Sequence, residues 1–240
     1  MQIVDSQIHL WENAKMAPQH RQIPTYSVDD ALKEMAEAGV DAAVIHPPSS
    51  LGEAVNVQAV EAVRQHPNTF CILGHFDLQS PDRLDIVKNW RQRPGMLGFR
   101  FTFNQPQQQS WWTDGSLDWF WAACEQEGLR VGLLAGGHMA DLGRIAVRHP
   151  GLKLHIDHCG RGGGGGSGTD DAAFANLGEM LALEAETFGP RDGKVFIQRE
   201  ARQQVVEGPW TFLSCIQFFF QNVAVHERLK SPIWHIEKDP

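Results

Sequence analysis

Polar residues recur at every second position at the start of the chain, where Ile3-Val4-Asp5-Ser6-Gln7-Ile8-His9-Leu10-Trp11 carries Asp5, Gln7 and His9 within an apolar stretch. Alternate side chains of a β-strand share a face, so the pattern predicts a strand with a carboxylate, an amide and an imidazole along one side. Buried polar groups must each find a partner, which makes core filling an uneconomical use of this triplet. A site at the strand end is the alternative the pattern favours over an exposed strand facing water.

The same beat continues along the chain. Strands are predicted over Ile3–Ile8, Asp41–His46, Phe70–His75, Met96–Phe101, Leu129–Leu134 and Leu152–His158. Helices are predicted between and after them, over Val28–Ala38, Glu53–Gln65, Pro81–Trp90, Leu117–Glu127, Met139–Val147 and Asp171–Glu186. Ser27 reads as the N-cap of the first helix and Gly39 as its stop, while Ser80 and Pro81 read as N-cap and first residue of the third. Six strand–helix units in about 190 residues, with short connections, imply parallel pairing and right-handed crossovers. The expected architecture is α/β, a (β/α)₈ TIM-barrel-like fold, with an open doubly wound sheet as the alternative.

Polar residues gather at the carboxyl ends of these strands: His9 after the first, His46 after the second, His75 and Asp77 after the third, Arg100 on the fourth, Asp157 and His158 on the sixth. Active sites of parallel barrels and open sheets are built on that edge. Arg100 is the natural anion holder, because its planar fork grips a carboxylate with two hydrogen bonds; the alternative is a salt bridge to Asp77 or Asp157.

Composition narrows the function classes. With 42% hydrophobic and 21% charged residues in 240, the chain reads as one globular domain, residues 1–240. A net charge of −8 argues against a nucleic-acid partner. No long apolar run predicts a membrane span, and the first residues lack a secretory pattern, so a cytoplasmic enzyme is expected. Cys71, Cys124, Cys159 and Cys215 are scattered, as reduced thiols rather than a disulfide or zinc framework.

Three motifs then occur in order: Asp5-Ser6-Gln7-Ile8-His9-Leu10-Trp11, Gly98-Phe99-Arg100-Phe101 and Ile156-Asp157-His158-Cys159-Gly160. With the repeat, they resemble the amidohydrolase-related (amidohydrolase type 2) TIM-barrel family over about residues 1–183. The resemblance implies a hydrolase opening a lactone or similar ring of a small carboxylated substrate, or a non-oxidative decarboxylase that uses a metal. It implies Arg100 as the substrate-gripping arginine and brings His9 and His158 into the site; from their places at the strand ends, Gln7 and His75 are further candidate substrate contacts, and Asp157 joins His9 and His158 as a candidate catalytic residue. One divalent metal, zinc or manganese, would rest on His9 and His158; a metal-free mechanism is the equal alternative. The family's HxH pair is broken here, because Gln7 fills the first slot, and an amide oxygen is a poor zinc ligand. The fifth strand runs into Leu133-Leu134-Ala135-Gly136, where metal-binding members carry a histidine or lysine, and His138 lies a turn further on.

The family's eighth-strand aspartate, in a Gly-Ser/Thr-Asp signature, has no counterpart in place. Gly168-Thr169-Asp170 has the letters but follows the sixth strand, within a glycine run that lacks the Lys-Ser/Thr of a phosphate loop. Asp157 or Asp5 is the fallback base. After about Leu183 the resemblance ends, and residues 184–240 diverge; the barrel either closes irregularly or has a truncated or frame-altered tail, which would leave an impaired enzyme. The Phe218-Phe219-Phe220 cluster would then be an interface or an aggregation hazard, and a homo-oligomer is left open.

Overall fold

Alternating apolar strands and helices assemble into one curled sheet with helices against it. In the computed structural model, the described residues are 3–16 and 21–160, together with two short strands at 196–197 and 216–217. The strands are β1 (Val4–Ile8), β2 (Ala42–Ile45), β3 (Phe70–Gly74), β4 (Met96–Phe101), β5 (Arg130–Leu133), β6 (Lys153–Ile156), β7 (Phe196–Ile197) and β8 (Ile216–Gln217). The helices are α1 (Val28–Ala38), α2 (Ala54–Gln65), α3 (Arg83–Lys88), α4 (Asp118–Gln126) and α5 (Met139–Arg148). The sheet order is β7-β6-β5-β4-β3-β2-β1-β8. All pairs from β1 to β7 are parallel, so the six predicted strands form the curled half-barrel that the repeat implied. β8 departs from the barrel repeat by pairing antiparallel with β1, Val4 opposite Gln217.

Local chemistry explains the helix ends. Ser27 and Asp30 close a reciprocal capping box at the start of α1, and Gly39 ends it with φ of 69°. The Ser80–Pro81 start predicted for the third helix is not observed. The Ser80 hydroxyl is drawn to the Asp82 carboxylate and its carbonyl accepts from Arg83, so residues 80–82 form a turn and α3 begins at Arg83. Between β4 and α4 a short 3₁₀ segment, Pro106–Trp112, has no counterpart in the sequence reading. Asp171–Glu186 lies outside the described residues.

On the helix side of β4 the core is aromatic. Phe99 and Phe120 are fully buried, their ring centres 5.5 Å apart, with Trp90 4.2 Å from Phe99. The Trp90 indole donates to the Gly98 carbonyl at 2.8 Å, tying this layer to β4. The register of β4 shifts between its pairings Ile72–Met96 and Leu73–Gly98, a bulge with Gly98 at its end. A Cβ on Gly98 would fall 1.9 Å from the Arg130 carbonyl oxygen, so only glycine fits. Phe99 and Phe101 thus face the helices, and Arg100, between them, takes the opposite face.

Candidate active site

β1 opens the site but does not keep strict alternation. Its register against β2 shifts between Asp5–Ala43 and Ile8–Ile45, and Asp5 through Ile8 are all buried. Asp5 contributes to this irregularity, its Oδ1 accepting from the Gln7 backbone N–H at 3.0 Å. The single polar face expected for Asp5, Gln7 and His9 is therefore broken, while Gln7 and His9 stay together, Nε2 to Nε2 at 3.4 Å.

His9 is fixed by the backbone after β2. Its Nδ1 lies 2.6 Å from the His46 carbonyl oxygen, which can only accept, so Nδ1 carries the proton and Nε2 keeps its lone pair in the neutral ring. The Gln7 amide group then donates toward that lone pair.

The His46 ring is fully buried, 6.5 Å from the His9 ring centre and 6.1 Å from that of His155. Burial pushes His46 well below the usual imidazole range; Asp157 opposes this, and the positive surroundings of Arg100 reinforce it. His46 is thus neutral, and among the described residues neither of its ring nitrogens, nor Gln7 Oε1, has a hydrogen-bond partner.

A row of paired positions crosses the far side of the site. Arg100 on β4 pairs with Gly132 on β5, which pairs with His155 on β6. Just past β6, Asp157 is completely buried and takes the Arg100 Nε at 2.7 Å, and its other oxygen lies 3.7 Å from His155 Nε2. Burial alone would raise the Asp157 carboxyl, but the neighbouring charge outweighs it and holds the group well below the ordinary carboxylate range. Since His46 is neutral, Arg100 is the main cause. Of the two expectations for Arg100, the salt bridge to Asp157 is thus present and, among the described residues, engages Nε alone.

Of the remaining expected residues, His75 feels the charge of Arg100 and His158 lies close enough to act on Asp157. His75 follows β3, its backbone held by Asn56 and its Nε2 3.1 Å from the Gly52 carbonyl oxygen. Burial lowers its pKa, against the pull of that carbonyl and Glu53. His158 is partly exposed in the short 3₁₀ turn Asp157–Gly160, with φ of 51°. His138, after β5, stacks on Trp112 at 4.7 Å and bonds Asp141. His155 is the neighbour the sequence reading passed over; it stands two residues before Asp157, and period-two counting from that aspartate would have found it.

The donor set bears on metal. Among the described residues, no group of three or more His, Cys, Asp or Glu side chains is arranged to hold a metal ion. Where the family's first histidine would stand, the Gln7 amide faces the His9 lone pair. The described residues do not reproduce a zinc set of about three side chains.

The amidohydrolase family model (Amidohydro_2) matches residues 4–197. The chain belongs to the amidohydrolase-2 family. No curated protein matches the sequence. Among solved structures, this amidohydrolase resembles one from Burkholderia multivorans with bound zinc, at 17% identity and a TM-score of 0.65, over 82% of this chain and 69% of that one. It also resembles a Pseudomonas putida protein assigned as a 2-pyrone-4,6-dicarboxylic acid hydrolase, at 22% identity and a TM-score of 0.58, over 83% and 69%. A third is 5-carboxyvanillate decarboxylase from Novosphingobium aromaticivorans, complexed with manganese, at 12% identity and a TM-score of 0.55, over 83% and 78%. These likenesses establish the shared fold, and these structural neighbours include a protein assigned as a hydrolase and a decarboxylase.

Proposed function

We propose that this amidohydrolase hydrolyses a lactone or similar ring of a small carboxylated substrate. The observation that carries the reading is the pairing of Arg100 with the buried Asp157 through Nε, beside His9, His46 and His155. Among the described residues only Nε of Arg100 has a partner, which leaves both Nη nitrogens to take a substrate carboxylate, with Gln7 and His75 as flanking contacts. The His9 tautomer makes Nε2 a proton acceptor, so His9 takes the proton of an attacking water while His158 polarises the ring carbonyl. The water oxygen bonds to the carbonyl carbon, the ring C–O bond breaks, and the departing oxygen recovers the proton from His9. Asp157, held ionised by Arg100, is an anchor in this scheme.

The competing reading is a metal-dependent decarboxylase on the same frame, favoured by the manganese-bound decarboxylase among the structural relatives. Purified protein, with metal content measured by mass spectrometry, separates the two. Ring opening of 2-pyrone-4,6-dicarboxylic acid or another carboxylated lactone, independent of added zinc or manganese, supports the hydrolase. Manganese-dependent release of carbon dioxide from 5-carboxyvanillate without lactone opening overturns it. Folded protein that turns over no member of a panel of carboxylated lactones and releases no carbon dioxide favours the impaired member instead.

A further inference from the structure

Arg100, Gly132 and His155 occupy one row across three parallel strands, and paired positions in a parallel sheet present side chains to the same face. The middle position has no side chain. A Cβ on Gly132 would meet the Arg100 Cγ at 3.3 Å and the Leu73 Cδ1 at 3.4 Å, so the stem of Arg100 already lies against this gap. The gap leads from β4, over β5, to Asp157 beyond β6, where Nε is bound at 2.7 Å.

We infer that Gly132 is a specificity-determining position: the absence of a side chain over β5 lets the Arg100 stem lie there and reach across to Asp157, which turns the guanidinium so that its two Nη nitrogens meet a ligand carboxylate end-on. This inference rests on the proposed role of Arg100 as the carboxylate holder. A carboxylate that approached side-on, through Nε and one Nη, would compete with Asp157 for the same nitrogen. The site therefore selects ligands whose carboxylate projects from the ring along the guanidinium axis. Asp157 is a positioning residue acting through Arg100, and Gly132 is what gives it reach. Alanine at 132 requires a shift of a few tenths of an ångström, whereas the branched carbons of valine would occupy the path of Arg100.

The test reads Arg100 directly. In the full chain, the arginine Nε–H resonances are recorded by nuclear magnetic resonance, and that of Arg100 is assigned by its loss in Arg100→Lys. The expected signal is protected from solvent exchange, shifted in Gly132→Ala, and lost to fast exchange in Gly132→Val. Citrate is the carboxylate probe, and its affinity is expected to fall a few-fold in Gly132→Ala and about 10- to 100-fold in Gly132→Val, the loss of a charged hydrogen bond. If Gly132→Val does not fold, Gly132→Ala decides by the same two readings. A Nε–H signal and citrate affinity unchanged by Gly132→Ala overturn the inference. Failure of the wild-type protein to bind citrate, with the Nε–H signal still protected and still dependent on residue 132, refutes Arg100 as carboxylate holder while the role of Gly132 in seating Arg100 stands.

Discussion

Single residues carry the electrostatics of this site, and Asp157 carries most of it. With Asp157 fully buried against Arg100, Asp157→Asn leaves a largely buried guanidinium without its counter-charge. The expected cost is about 3 kcal/mol, read as a lower midpoint in urea with an unchanged slope. An unchanged midpoint would mean that Arg100 finds equal company elsewhere. Gln7 offers the opposite test, because one substitution restores the family's HxH pair. Gln7→His is expected to tighten zinc binding at least about tenfold, measured by competition with a chromophoric chelator. No gain would show that the His9 lone pair is inaccessible to an ion. At this scale the sequence was informative where chemistry is rare and clustered. His9, Arg100 and Asp157 stood at strand ends and are found in contact with site neighbours. His155 was missed because a lone histidine inside an apolar strand reads as core until its partner Asp157 is placed beside it.

Secondary-structure elements were legible to within a few residues wherever apolar periodicity and a cap agreed, as for α1 with Ser27 and Gly39. The departures are places where a side chain competes for backbone groups. Asp5 takes the Gln7 backbone N–H and accompanies the shift in β1, and Ser80 with Asp82 delays α3. Neither competition alters the hydrophobic pattern, so periodicity could not reveal it. The bulge of β4 was hidden for a related reason: Gly98 looks like a weak strand residue, but it is where the Arg130 carbonyl comes closest. Gly98→Ala is expected to cost at least about 3 kcal/mol or prevent folding, since backbone on both strands would have to move. A soluble, normally stable Gly98→Ala protein would show that the bulge is adjustable and that Arg100 does not depend on it.

For the molecule as a whole, burial of uncharged imidazoles makes stability depend on acid. The folded pKa of His75 lies below its ordinary value of 6.5, so below that pH the unfolded chain binds a proton that the folded chain refuses. Stability is therefore expected to be level above pH 6.5 and to fall as pH drops, by at most about 1.4 kcal/mol per pH unit for this group. His75→Gln should flatten part of that slope in urea titrations between pH 7 and about 5. The contribution of Asp157 has a separate window: it is complete above its ordinary value of 3.8 and is lost as pH falls towards its depressed folded value. A slope unchanged by His75→Gln would place the acid sensitivity elsewhere. Neighbouring strands from β1 to β7 follow one another in sequence, so the sheet can grow by successive short loop closures. The approach of His46 to His155 joins residues about a hundred positions apart and brings the end of β2 towards β6. That approach exists only after the sheet has curled, which makes the polar cluster a late event in folding. Substitutions within it should accelerate unfolding and leave the rate of folding nearly untouched.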